Sequence, residues 1–127
     1  MSIRSYARVQ EVTEAPRTTE YRALAMVTGK LVETKATGGR EFIDACFLNR
    51  KLWTLFQDDL VLPENGLPDA IKAQLISLSI WVQKQTGHVM TGAASVDSLI
   101  EVNTAIMAGL SPAAAANDVD EMEAASA

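Results

Sequence analysis

One stretch constrains the fold of this chain more than any other: Leu67 to Gly92, LPDAIKAQLISLSIWVQKQTGHVMTG. Pro68 suits the first helical position, where its missing N–H is not needed; Asp69 favours the positive helix start, and Gly92 suits a left-handed stop. The spacing predicts one helix of about 23 residues at 1.5 Å each. At about 100° per residue, Ile71, Leu75, Leu78, Val82 and Val89 fall in one sector, with Trp81 flanking it. Ala73, Ile76 and Ile80 fall nearly opposite. A surface helix needs one apolar stripe, so a second means burial on both sides or a face kept for a partner. The rest of the chain is expected to be built around this helix, which itself carries no catalytic group.

The flanking segments have the same period. Residues 2–14 permit a short helical turn with Arg4 and Arg8 on one face, and Ala15-Pro16 should break it and start the next helix. Tyr21, Leu24, Ala25, Thr28, Leu31 and Val32 then form a stripe, with Gly29 costing about 1 kcal/mol relative to Ala. After a loop at Thr37 to Gly39, a second helix from Arg40 to about Leu60 carries Phe42, Cys46, Trp53, Phe56 and Leu60 on one face. Val61 to Leu67, with Pro63 and Asn65-Gly66, is the next loop. Beyond Gly92 to Ala94, Ser95 caps a last helix with Asp97 in its first turn and a stripe of Val96, Leu99, Ile100, Asn103, Ile106, Met107 and Leu110. Asn49 and Asn103 each interrupt an apolar stripe. A buried amide without partners costs a few kcal/mol, so each is expected to be structural and bonded to backbone or a neighbouring helix.

The expected architecture is all-α: a small antiparallel bundle of about four helices over residues 1–110, followed by a disordered acidic tail over 111–127. With 127 residues and 48% hydrophobic content the chain forms one domain with a modest core. Residues 1–51 hold nine Lys/Arg against six Asp/Glu, a balance of +3, and residues 52–127 hold two against ten, −8, together the net −5. That is not the composition of a nucleic-acid-binding domain. The one cysteine, Cys46, excludes an internal disulfide, no apolar start of secretory length precedes it, and a soluble cytoplasmic protein is expected.

No motif points to catalysis. His88 has no acid three or four residues away and reads as a surface side chain rather than a base or ligand. Cys46 on the core stripe reads as a small buried hydrophobe. Asp58-Asp59 and the tail acids lack the spacing of a calcium loop, and Gly38-Gly39-Arg40 lacks the strand and further glycines of a phosphate loop. Arg50 and Lys51 beside Trp53 read as a solvated pair, because Trp53 belongs to the core stripe. No enzyme, metal or cofactor is expected.

The order of several segments adds a resemblance. NRKLWTLFQDDL (49–60), Pro63 to Pro68, LISLSIWV (75–82) and LIEVNTAIMAGL (99–110) resemble the flagellar biosynthesis regulator FlaF family of alphaproteobacteria. Tyr6, Thr13 to Arg17 and Thr19 to Arg22 fit that family's opening as well. Where the family commonly has basic residues, this chain has Gln85 and Thr104. The resemblance implies a small cytoplasmic protein that binds flagellin in a chaperone-like way, promoting its synthesis and export. It also implies the alternative of acting on flagellin mRNA translation together with FlbT, a second regulator.

Two arrangements of the long helix follow. Either the last helix packs Leu99, Ile100 and Ile106 over the Ala73, Ile76 and Ile80 stripe, or Ile76 and Ile80 face a groove. Both place Ile76, Ile80 and Ile106 near the contact, and these three with Trp81 are the expected partner-binding residues.

Overall fold

The computed structural model describes residues 3–110, and their side chains from 19 to 109. Four helices form: α1 (Ile3–Thr34), α2 (Gly39–Leu60), α3 (Asp69–Met90) and α4 (Asp97–Leu110), with no strand among the described residues. The protein is an all-α bundle, as the hydrophobic period predicts. The expected acidic tail and the shared face of Arg4 and Arg8 lie outside what is described.

Helix ends follow local chemistry. Gly92 at φ 82° closes α3 with the paired bonds of a left-handed stop, Gly92 N–H to Val89 O at 3.1 Å and Ala93 N–H to His88 O at 2.8 Å. Ser95 Oγ accepts the Asp97 N–H at 3.1 Å and so caps α4. In the α2–α3 loop, Asn65 Oδ1 accepts the Leu67 N–H while its Nδ2 donates to Asp59 Oδ2, each at 3.1 Å. Pro68 stands one place earlier than expected, as the cap residue before Asp69, with extended ψ.

The expected break at Ala15-Pro16 does not occur. The backbone of α1 is helical from Ile3 through Pro16 to Thr34. An internal proline costs about 3 kcal/mol through one lost bond and a ring clash, which is a local penalty and not an obligatory stop. The residues on both sides, such as Ala7, Gln10, Glu11, Glu14 and Arg17, are good helix formers and add little further cost.

The packing order also differs from expectation. α2 lies against both α1 and α3, α1 also carries α4, and α3 touches α4 only sparsely. The middle pair is therefore α1 and α2, not the Leu67 to Gly92 helix. The core gathers Leu31, Ala45, Cys46, Trp53, Val82, Val89, Val96 and Leu99, with Trp53 edge-on to Phe56 at 5.8 Å. Three seams of the bundle are closed, and the fourth, α3–α4, is parted.

The first apolar stripe of α3 is buried only in part. Val82 and Val89 are core residues, Leu75 and Leu78 are half-buried, and Ile71 is exposed. Helix length explains the gradient. α4 has 14 residues against 22 in α3, and it starts beside the end of α3, so about 12 Å at the start of α3 has no α4 alongside. Polar Ser79 and Thr86 fill the rest of the buried face. Thr86 Oγ1 donates to Val82 O at 2.7 Å, and Ser79 Oγ lies 3.1 Å from Trp53 O and 3.0 Å from Gln57 Oε1.

Candidate functional site

The two asparagines of the apolar stripes meet at the centre of the bundle, and both are fully buried. Trp53 Nε1, which can only donate, gives its proton to Asn103 Oδ1 at 2.9 Å. That fixes the amide: Asn103 Nδ2 donates to Asn49 Oδ1 at 2.7 Å and to Thr28 Oγ1 at 3.1 Å. One side chain of α4 is thereby bonded to α1 and twice to α2. Asn49 spends its oxygen on this network, and its own Nδ2 has no partner. The period identifies Asn49 and Asn103 as polar residues in apolar stripes but not their pairing, nor Thr28 and Trp53 as partners. A buried indole N–H, which needs an acceptor, is the signal that leads to Asn103.

The parted seam is located by hydrogen bonds on the two flanks of α3. Towards α2, Gln83 Nε2 donates to Gln57 Oε1 at 2.7 Å beside Ser79. Towards α4, Gln85 Nε2 donates to Ser98 Oγ at 3.0 Å, next to the α3–α4 loop. Residues four or seven apart share a helix flank, so Trp81 and Leu78 stand with Gln85 on the α4 side. By the same spacing Val102 and Ala105 stand with Ser98 on the α3 side, and Ile106 and Gly109 with Val102. The seam is closed at the Gln85–Ser98 end and bordered beyond it by Leu78 and Trp81 on one wall and Val102, Ala105 and Ile106 on the other. Leu78, Val102 and Ile106 pack on the core yet stay partly open, Ala105 is exposed, and Trp81 keeps 36% of its surface.

The four residues expected to contact a partner are thus divided. Trp81 and Ile106 border one seam. Ile76, seven residues before Gln83, lies half-buried on the α2 flank, and Ile80 points outward with 43% of its surface open. α4 does not cover the Ala73, Ile76 and Ile80 stripe, because its Asn103 binds it to α1 and α2 instead.

Titratable groups add little at this seam. Cys46 is fully buried, and desolvation raises its thiol pKa. His88 is exposed. Among the described residues no cluster of acids, histidines and cysteines could hold a metal, and no helix is long and apolar enough to cross a membrane.

Residues 2–110 match the family described as flagellar protein FlaF. The chain belongs to the FlaF family. No curated protein and no solved structure matches it. The FlaF match ends at the last residue of α4, so it takes in both walls of the α3–α4 seam and the buried asparagine pair. The chain is a flagellar protein, and its FlaF region is the helical bundle.

Proposed function

We propose that this FlaF protein binds flagellin in the cytoplasm in a chaperone-like way, promoting its synthesis and export alongside FlbT. Family membership supports the flagellar context. The observation that carries the binding reading is the parted α3–α4 seam, where Trp81 and three half-buried aliphatic side chains remain open on a bundle whose other seams are closed. Apolar groups left partly open along one seam are surface that a partner gains by covering.

Calorimetric titration of the full chain with its flagellin at about 50 and 200 mM salt tests the reading. Apolar docking holds its affinity across that range, whereas phosphate contacts weaken steeply. Absence of flagellin binding, combined with salt-sensitive binding to flagellin mRNA, would overturn it in favour of translational control.

A further inference from the structure

We infer that the α3–α4 seam takes an amphipathic helix of flagellin whose inward face is uncharged, lying beside α4 as a fifth helix. This rests on the flagellin-binding reading above and adds the site and the chemistry of the segment.

Charge supplies the first argument. The α4-facing flank of α3 carries Leu78, Trp81 and Gln85, and the α3-facing flank of α4 carries Ser98, Val102, Ala105, Ile106 and Gly109. None is Lys or Arg, and the nearest charge is exposed Glu101, four residues before Ala105 on the outer rim of this flank. A phosphate backbone would find no cation here and would meet Glu101, and an acidic peptide face would be desolvated without a counter-charge. Between the two walls an apolar or neutral polar face is matched, with its polar groups nearest Gln85 and Ser98 and any basic group at the outer rim beside Glu101.

Shape supplies the second. From Ser98 to Gly109 the α4 wall runs 12 residues, about 18 Å or three turns, which matches a short helix with anchors at i, i+3 or i+4, and i+7. Ala105 is exposed, and a Cβ added at Gly109 would meet nothing within 4 Å, so the α4 wall leaves room for a close backbone. Trp81 opposite supplies the large rigid surface that anchors such interfaces. The remaining stretch of α3 without α4 alongside, down to exposed Ile71, lets a longer helix continue past the end of α4.

The test uses the full chain and tryptophan-free flagellin. Trp53 is 2% exposed, so acrylamide quenching of the two tryptophans reports Trp81, and flagellin should protect it. Ala105→Arg, at an exposed site where folding is not at stake, and Trp81→Ala should each weaken binding at least ten-fold by calorimetry, with the helical circular dichroism retained. Ile80→Ser, on the other side of α3, should bind as the parent does. Flagellin that binds the parent, Ala105→Arg and Trp81→Ala equally well would overturn the seam while leaving the flagellin reading intact. A parent chain that binds no flagellin would overturn that reading and the occupant with it.

Discussion

Trp53 and Asn103 are bonded across the centre of the bundle, indole N–H to amide oxygen at 2.9 Å, with neither residue more than 2% exposed. This one contact orients everything downstream of it: because the indole can only donate, Asn103 must turn its amide nitrogen towards Thr28 and Asn49. Short α4 is thus held in place by a directional polar contact as well as by Leu99 and Val96 in the core. Asn103 acts as a register pin for the last helix.

The two asparagines should therefore differ when truncated. Asn103→Ala strands the Trp53 N–H and removes both donors used by Asn49 and Thr28, and each buried group left unpaired costs about 1–3 kcal/mol. Asn49→Ala removes an amide nitrogen that already lacks a partner and leaves Asn103 its bond to Thr28. Urea denaturation should show Asn103→Ala as the more destabilising by about 1 kcal/mol or more. Equal losses would show that the network does not act in the direction described.

Cys46 gives the bundle a dependence on alkaline pH. Burial raises the thiol above its ordinary value of 9.0 in the folded chain. As pH climbs, the unfolded chain releases this proton first, so the native state holds more protons and stability falls with pH. The contribution is complete below pH 9 and is lost as pH rises through the raised folded value. Denaturation midpoints from pH 8 to 10 should fall more for the parent than for Cys46→Ala. At pH 8 a thiol reagent should react with the native chain far more slowly than with the urea-unfolded one.

Much of this fold is legible in the residues. Four stripes of helical period give four helices, and Ser95 and Gly92 mark their ends because a hydroxyl cap and a left-handed stop are local chemistry. Their neighbours are not legible in the same way. A stripe states which side of a helix is apolar and leaves open which helix covers it, so α3 reads as the centre although α1 and α2 hold that place. Ser79 and Thr86 are missed because hydroxyls bonded to nearby carbonyls can be buried without an apolar signature. The seam is half visible: Trp81 flanks the stripe in sequence, but its pairing with the wall of Val102 and Ile106 depends on where α4 lands.

The two stripes of α3 can be separated by stability alone. Val82 is fully buried among Trp53, Leu99 and Val89, whereas Ile80, two residues earlier, has 43% of its surface open. Val82→Ala removes buried methyl groups and leaves a cavity, a loss of about 2 kcal/mol. Ile80→Ala removes more atoms from the side chain, yet most of them already face water, so the change should stay within about 0.5 kcal/mol. The larger truncation is thus expected to have the smaller effect, the reverse of what side-chain size alone would give. Chemical denaturation of both variants, with unchanged denaturant dependence as the sign that the fold is kept, makes the comparison. A loss at Ile80 as large as at Val82 would mean that another element, or a second copy of the chain, covers the outer stripe of α3 in solution.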